Sequence, residues 1–390
     1  MRNTAARDRK TGSTEQLNET PGEPSRPLKI ALIAPPYFDV PPSAYGGVEA
    51  VMADLADGLV DMGHDVTIIG AGRKGTKARL LTVWDRTVPE RLGEPYAEVL
   101  HAILTRRAVE DLAMAGEVDV IHDHTFSGPL NAHAYAELGL PTVVTVHGPP
   151  HQDARRYYRA LGTDVALVAI SKRQASLAPE LNWTATVHNG LRPRTWPFSA
   201  RKGEYALWLG RYHPDKAPHV ALEAAHAAGL PLILAGKCAE PVEKRYFAES
   251  VEPLIGPDDK VVGVADAILK RELLVNARCL LFPVQWEEPF GMVMIESMVC
   301  GTPVVALRNG AVPEVVLDGV TGIICDRPEE LPDALEAVTA IDAGACRRHV
   351  EVNFSAARMA AGYTRCYRQA VAKHAAWRPA NEIMAGLRSR

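Results

Sequence analysis

The sequence of 390 residues contains no apolar run near the length of about 18 residues that crosses a membrane, and its first 27 residues lack the apolar core of a signal peptide. It also lacks an excess of positive charge, because 43 basic residues accompany 47 acidic ones. Without a positive field, binding to nucleic acid is not expected. These absences predict a cytoplasmic protein without a transmembrane segment, and they leave peripheral contact with a membrane open.

Two short motifs are missing as well. No two of the six cysteines have the C-x-x-C spacing of a metal or redox site, so we expect reduced, mostly buried thiols. No G-x-G-x-x-G motif follows an apolar strand, which disfavours a nicotinamide dehydrogenase. The composition is that of a globular protein, with 47% hydrophobic and 23% charged residues, and the length predicts two domains at about 150 residues each.

The chain divides into a tail and two α/β halves. Residues 1–27 are rich in Arg, Thr, Gly, Glu, Pro and Ser, and we expect them to be disordered. After them, short apolar runs alternate with helix-length stretches, which predicts βαβ units and parallel sheets. The Gly- and Pro-containing segment 188–199 is the expected linker, so we assign residues 28–195 to an N-terminal domain and 196–362 to a C-terminal domain. The predicted strands are Lys29–Ala34, Asp65–Ile69, Val118–Ile121, Pro141–Val146, Val165–Ile170, Thr184–Val187, Tyr205–Leu209, Pro231–Ala235, Lys260–Val264, Cys279–Val284, Pro303–Leu307 and Gly322–Cys325.

Two such sheets facing each other place a ligand cleft at the carboxyl ends of their strands. One predicted helix carries residues that suit this cleft. From Gly291 to Cys300 apolar residues surround most of this helix, so the carboxylate of Glu296 is expected to be buried and to need a partner. Glu288 lies in the loop before the helix, whose N-terminus offers free amides to an anion. Two carboxylates beside an anion site suit a sugar joined to a phosphorylated nucleoside. The alternative is that Glu288 is a solvated cap and Glu296 pairs with a cation in the core.

The segment Glu288–Glu296 resembles the E-x7-E signature of the retaining glycosyltransferases of family 4. The resemblance covers nearly the whole chain after the tail, and its further motifs are Tyr45–Gly47, Gly63–Val66, Ile121–His124, Val144–Gly148, Asn189–Gly190, Gly210–Lys216, Cys300–Ala306 and Phe354–Ser355. It implies the α/β GT-B fold, in which two Rossmann-like domains with parallel sheets face each other across a donor and acceptor cleft. It also implies that a last helix, within residues 363–390, returns to the N-terminal domain. The segment Trp286–Gly291 is similar to an actinobacterial branch of the family.

The resemblance assigns the donor phosphates to both sides of the cleft. Gly210, Arg211 and Lys216 follow the first strand of the second half, where a guanidinium fork and a mobile ammonium match a diphosphate that gains charge as it leaves. Without the family pattern, the two cations would be interpreted as solvated charges on a loop. Gly46 and Gly47 precede the first long helix, and the resemblance implies that their amides close over the phosphates.

The remaining donor contacts are assigned in the same way. The resemblance implies that Glu288 binds hydroxyls of the transferred sugar and that Glu296 binds those of the ribose. Backbone groups of the loop around Val262, Gly263 and Val264 are expected to contact the base. The helix N-terminus after Glu288 contributes Phe290, Gly291, Met292 and Val293.

Histidines mark the ends of two strands in the first half. His122 and His124 alternate along one of them, but no further ligand cluster accompanies them, so we expect no metal site. The resemblance matches His124 to a residue near the donor sugar. His147 and Tyr45 are candidates for the acceptor side, with a structural role at the strand end as the alternative for His147. The residues expected to act in the reaction are therefore His124, Arg211, Lys216 and Glu288.

The mechanism is predicted from what surrounds the sugar. No carboxylate is placed convincingly on its far face, where a double displacement needs a nucleophile, so we expect retention by front-face substitution without a metal or a bound cofactor. The predicted activity is transfer of a hexose-type sugar from a UDP-, GDP- or dTDP-sugar to a hydroxyl of a saccharide, glycolipid or natural product. The loops at residues 35–45 and 148–159 are expected to contact this acceptor. A sugar-nucleotide epimerase of the same shape and a non-catalytic sugar-nucleotide-binding protein are the alternatives.

Overall fold

The computed structural model describes residues 26–388, with side chains up to residue 376. The predicted tail, residues 1–27, lies outside the described residues except for Arg26 and Pro27. The described chain forms two parallel sheets, one of seven strands in the first half and one of six in the second. This arrangement confirms the predicted α/β fold of two Rossmann-like domains.

The first sheet has the strand order β3-β2-β1-β4-β5-β6-β7. Its strands are β1 Lys29–Ile33, β2 Asp65–Gly70, β3 Arg79–Thr82, β4 Val120–Asp123, β5 Thr142–Val146, β6 Val165–Ala169 and β7 Trp183–Thr186. The α-helices of this half are α1 Gly47–Asp61, α2 Pro95–Met114, α3 Ala132–Glu137, α4 Gln152–Ala160 and α5 Lys172–Leu177. Neighbouring strands all pair in parallel, and the central ones are buried on both faces, which is why they read as continuous apolar runs.

The second sheet has the strand order β10-β9-β8-β11-β12-β13. Its strands are β8 Ala206–Leu209, β9 Leu232–Ala235, β10 Lys260–Gly263, β11 Cys279–Phe282, β12 Val304–Leu307 and β13 Gly322–Cys325. The α-helices that follow them are α6 Pro218–Ala227, α7 Pro241–Tyr246, α8 Ala267–Asn276, α9 Met292–Val299, α10 Val312–Val315, α11 Leu331–Ala337, α12 Ala343–Asn353 and α13 Ala356–Arg388. In both sheets the strand order reverses beside the first strand, which opens a crevice at the carboxyl ends.

Strand β3 is the one strand of the described chain that the sequence pattern did not predict. It pairs only with β2 at the edge of the first sheet, and its end residues Arg79 and Thr82 are exposed. An edge strand of four half-exposed residues needs no apolar run, so it leaves no such signal.

The last helix, α13, packs against the first domain. It begins at Ala356, before the predicted limit of residue 362, and crosses α1 at Gly58. A Cβ atom at Gly58 would lie 3.0 Å from the carbonyl oxygen of Ala356, so glycine permits this close approach. Tyr363 and Tyr367 of the same helix are fully buried beneath the first sheet's strand ends.

Direct contacts also join the two domains beside the crevice. Glu314 of α10 accepts the backbone N–H groups of Lys172 (2.8 Å) and Arg173 (2.6 Å), which begin α5. The guanidinium of Arg173 donates to both oxygens of Glu287, at 2.8 and 2.5 Å. These bonds fix the loop before α9 relative to the first domain.

No helix within residues 26–388 combines the length and the hydropathy that a bilayer crossing requires. All six cysteines are free thiols, and of these only Cys238 is partly exposed.

Candidate functional site

The carboxyl ends of both sheets open onto one cleft of about 650 Å³ between the domains. Most of the predicted site residues meet there. The first domain contributes Tyr45, Gly46, Gly47 and His147, and the second contributes Gly210, Arg211, Lys216, Glu288, Phe290, Gly291, Met292, Val293 and Glu296. Val262 and Gly263 do not line the cleft, because the chain leaves β10 and turns so that Val264 and Ala265 line it instead.

Lys216 and Glu288 form an ion pair on the floor of the cleft. Lys216 ends a short 3₁₀ turn, Pro214–Lys216, and its ammonium donates to Oε2 of Glu288. The indole Nε1 of Trp286 donates to the same oxygen at 2.9 Å, and the ammonium lies 4.6 Å from the centre of the indole ring. The carboxylate is buried, so the proposed alternative of a solvated cap at Glu288 is wrong. Two donors fix its orientation.

Arg211 lies beside Lys216 at the end of β8. Its Nη1 is 3.6 Å from Oε1 of Glu243, a fully enclosed carboxylate on α7. The loops that follow β8 and β9 touch here, because a Cβ atom at Gly236 would lie 1.7 Å from the carbonyl oxygen of Gly210. Only glycine at position 236 allows this approach, which sets the position of Arg211 relative to the cleft.

The N-terminus of α9 faces the same floor. Gly291 precedes the helix with φ +81°, and a Cβ atom there would lie 2.6 Å from Cε of Met294. The loop holding Glu288 rests on the turn after β12, where Gly310 has φ +54° and Ala311 donates its backbone N–H to the carbonyl of Glu288 at 2.9 Å. Met292 and Val293, the first residues of α9, line the cleft beside Glu288, where the free amides of a helix N-terminus favour an anion.

Glu296, one turn along α9, is buried and accepts a hydrogen bond of 2.6 Å from the ammonium of Lys270. Lys270 lies on α8, 5.4 Å from the ring centre of Trp196 in the linker. The pairing of Glu296 with a cation, which is the alternative prediction, is therefore present. Glu296 nevertheless lines the cleft, so the pairing and a ligand contact are compatible.

The N-terminus of α1 approaches from the opposite side. Gly46 has φ +142°, and a Cβ atom there would lie 2.9 Å from Cβ of Pro42, whereas Gly47 has no neighbour within 4 Å of its Cβ position. Burial raises the pKa of Glu49, in the first turn, to about 7, which reduces the negative charge that would oppose an anion. Tyr45 spans the gap, with its ring 5.5 Å from the ammonium of Lys237 in the second domain.

The histidines form a connected group behind the first domain's side of the cleft. His122 is hydrogen-bonded to Tyr367 and Thr145, both at 2.7 Å, and His124 Nδ1 lies 2.9 Å from His147 Nε2. His147 lines the cleft, while His124 sits behind it. Burial lowers the pKa of His147 to about 4 and those of His122 and His124 well below their usual range, so the three rings are neutral at pH 7.

The side chains that sequence reasoning missed are those that hold the predicted ones. Trp286 stands inside the family segment but was given no role, while Glu243 and Lys270 lie on short helices of mixed charge. Their partners Arg211 and Glu296 are distant in sequence, so no local spacing could reveal the contacts. Across residues 26–388 no three His, Cys, Asp or Glu side chains form a group that could hold a metal ion.

Comparison with known families identifies the chain. The Glycosyltransferase Family 4 profile matches residues 45–193, and the profile of Glycosyl transferases group 1 matches residues 197–347. The chain belongs to glycosyltransferase family 4. Among similar proteins, a phosphatidyl-myo-inositol mannosyltransferase of Mycolicibacterium smegmatis is 25% identical over 76% of this chain and 80% of its own. An alpha-maltose-1-phosphate synthase of Mycobacterium tuberculosis is 29% identical over 76% of this chain and 84% of its own.

Solved structures with the same architecture agree with the GT-B fold of this glycosyltransferase. AviGT4, a glycosyltransferase involved in avilamycin A biosynthesis, is 25% identical with a TM-score of 0.65, covering 89% of this chain and 98% of its own. The sucrose-phosphate synthase of Thermosynechococcus elongatus has a TM-score of 0.72 at 18% identity, covering 88% and 99%. HepE of Anabaena, in complex with UDP and glucose, has a TM-score of 0.68 at 18% identity, covering 88% and 100%.

Proposed function

We propose that this glycosyltransferase is a retaining hexosyltransferase that moves a sugar from a nucleoside-diphosphate donor to a hydroxyl acceptor. The observation that carries the proposal is the convergence of two cations, Arg211 and Lys216, and two helix N-termini, those of α1 and α9, on one cleft. A diphosphate is the group that such a set of donors matches in charge and geometry.

The leaving diphosphate lies between the two domains in this proposal. Arg211 and Lys216 approach it from the second domain, and the amides of Gly46 and Gly47 approach it from the first. The negative charge on the diphosphate grows as the glycosidic bond breaks, so these groups stabilise the transition state more than the bound donor. Fixed cations and helix ends supply the positive charge that a metal ion supplies in other transferases, so we propose a reaction without a metal.

The nucleoside and the sugar extend to either side of the diphosphate. Glu296 accepts hydrogen bonds from the ribose hydroxyls while Lys270 orients its carboxylate. The base lies against the backbone at Val264 and Ala265 in this proposal, because these two residues line the cleft. Glu288, held by Trp286 and Lys216, accepts from hydroxyls of the transferred sugar.

Retention of configuration follows from the charges around the sugar. Asp54 is the carboxylate that the first domain contributes to the cleft lining among the described residues, and it is paired with Arg192 at 3.0 Å toward the linker. A carboxylate held there is poorly disposed to act as a nucleophile on the far face. We therefore propose front-face substitution, in which a phosphate oxygen accepts the proton of the attacking hydroxyl. His147 lines the cleft on the first-domain side. Its neutral ring suits a hydrogen bond to the sugar or the acceptor.

The acceptor enters from the first domain in this proposal, between the loops at residues 35–45 and 148–159. Saccharides, glycolipids and natural products are the classes to test, because the similar proteins include a phosphatidyl-myo-inositol mannosyltransferase and an avilamycin A glycosyltransferase.

The test begins with a thermal-shift screen against UDP-, GDP- and dTDP-sugars, since the correct donor stabilises the folded state by mass action. Each donor that binds is then incubated with acceptors of the three classes in excess chelator, and the released nucleoside diphosphate is measured. The anomeric configuration of the product, read by proton NMR, distinguishes retention from inversion. Stereochemical inversion, epimerised sugar nucleotide without transfer, or activity that requires added Mg²⁺ would contradict the corresponding part of the proposal.

A further inference from the structure

Glu243 is a buried carboxylate with one satisfied oxygen and one unsatisfied oxygen. It lies on α7, outside the cleft lining, and its side chain is fully enclosed. Oε2 accepts the backbone N–H groups of Ala239 (2.8 Å) and Glu240 (3.0 Å). Oε1 has no hydrogen-bond partner, and it lies 3.6 Å from Nη1 of Arg211.

The cap on α7 does not by itself explain a charged residue at this position. A neutral glutamine offers the same oxygen to two amides, without the cost of enclosing a carboxylate. A buried charge is stabilised only by a nearby opposite charge or by a full set of hydrogen bonds, and Oε1 lacks the latter. The guanidinium of Arg211 is the group that accounts for the charge.

The geometry also leaves Arg211 free for a second partner. Its side chain keeps one third of its surface exposed toward the cleft, while the Glu243 contact involves a single terminal nitrogen. At 3.6 Å the two groups are paired without a hydrogen bond, so the guanidinium can shift toward a phosphate without losing the attraction.

We propose that Glu243 is a positioning residue that holds the guanidinium of Arg211 by Nη1 and leaves the rest of the fork for the donor diphosphate. This inference rests on the proposed function, because it assumes that Arg211 stabilises a leaving diphosphate. A long side chain that is already held in place loses less conformational entropy when the ligand binds. Glu243 thus acts through Arg211 and does not touch the substrate.

The test is a double-mutant cycle between the two residues. Steady-state kcat and KM are measured with a donor that the unchanged enzyme uses, for Arg211→Ala, Glu243→Gln and the double variant. Glutamine keeps an oxygen for the two amides of the α7 cap and removes only the charge. We expect Glu243→Gln to lower kcat about tenfold, and to lower it less than twofold further when Arg211 is already alanine.

A matched control separates the charge from the cap. Glu330 accepts the backbone N–H groups of Asp326 (2.9 Å) and Arg327 (3.4 Å) and contacts the Arg327 guanidinium at 2.9 Å, the same arrangement on the surface away from the cleft. Glu330→Gln should leave kcat unchanged. Thermal denaturation of all variants identifies any loss that comes from unfolding.

Two outcomes would overturn the inference while leaving the function intact. One is a Glu243→Gln enzyme with normal kcat beside an impaired Arg211→Ala enzyme. The other is a loss in Glu243→Gln that persists in full in the Arg211→Ala background, which would mean a structural role. Absence of turnover by the unchanged enzyme on every donor would instead contradict the proposed function, and this inference with it.

Discussion

The two sides of the cleft differ in how they carry charge. The second domain holds three cations that each lie beside a carboxylate, in the pairs Lys216–Glu288, Arg211–Glu243 and Lys270–Glu296. The first domain offers the N-terminus of α1 and the neutral ring of His147, and its Arg192–Asp54 pair lies toward the linker. Paired charges keep their positions before a ligand arrives, whereas a helix end attracts an anion only at close range. The comparison supports the proposal that the second domain holds the donor and that the first completes the site.

Removal of a positive charge from the second-domain side of the cleft should have the largest effect. Lys216→Ala should lower kcat by about 10²–10³-fold, because its ammonium meets a charge that is greatest in the transition state, while affinity for the free nucleoside diphosphate falls less. Steady-state kinetics and calorimetric titration measure the two quantities. Lys244→Ala, an exposed lysine on α7, is the control and should behave as the unchanged enzyme. An unaltered kcat in Lys216→Ala would remove this residue from the site.

The two carboxylates of the second side should differ from each other. Glu296→Gln should weaken binding of the nucleoside diphosphate and of the whole donor alike, by about 1.5–3 kcal/mol, because both ligands carry the ribose. Glu288→Gln should spare the free nucleoside diphosphate and weaken only donor use. Each variant loses one ion pair to a lysine, so each is the control for the other. Equal losses for both ligands in both variants would mean that the pairs are structural.

The protonation of a buried carboxyl behind the first-domain side of the cleft can be tested through the pH dependence of stability. Burial raises the pKa of Asp123, at the end of β4, from its usual 3.8 to about 7. The folded state thus keeps this proton where the unfolded chain releases it, so the contribution of Asp123 to stability falls as pH rises from about 4 to about 7. Asp123→Asn should be the more stable protein at pH 8, by an amount on the order of 4 kcal/mol, and the difference should shrink toward pH 4.

Urea denaturation at several pH values measures this difference. Asp153→Asn changes a surface aspartate that is 86% exposed, and it should follow the pH profile of the unchanged protein. Parallel profiles for Asp123→Asn and the unchanged protein would show that the carboxyl is not protonated in the fold.

The sequence predicts the fold and the second-domain side of the cleft better than it predicts the first-domain side. Most of the parallel strands are buried apolar runs, and the sequence pattern predicts them. Among the edge strands, β7 and β10 are predicted although none of their residues is buried, whereas β3 is not predicted. Arg211, Lys216 and Glu288 lie beside strand or helix ends and Glu296 lies inside α9, and the α/β pattern and the family segment mark these positions directly. Local sequence patterns therefore predict most of the named residues on the second-domain side of the cleft.

What the sequence did not reveal depends on the packing of distant segments. His124 and His147 both follow strands and both are predicted for the site, but of the two His147 lines the cleft, which depends on how the ends of β4 and β5 pack. Glu243 pairs with Arg211, and Lys270 pairs with Glu296, and each partner lies on a different element of the second domain. Gly263 ends β10 with φ +67°, and Val264 and Ala265 rather than Val262 line the cleft. None of these outcomes follows from spacing along the chain.

The smallest expected effect concerns the bond that joins the two sides. The Arg173–Glu287 pair links α5 to the loop before Glu288, but both side chains are nearly half exposed. Solvent and salt weaken such pairs to about 0.2–1 kcal/mol, so Arg173→Ala should lower kcat/KM by at most about fivefold. The loss should diminish at high salt, where the pair in the unchanged enzyme is screened as well. Arg106→Ala, which breaks a pair with Glu110 inside the first domain, is the control. A salt-independent loss, or one equal to that of Lys216→Ala, would mean that the two sides do not act as separate units joined by weak surface bonds.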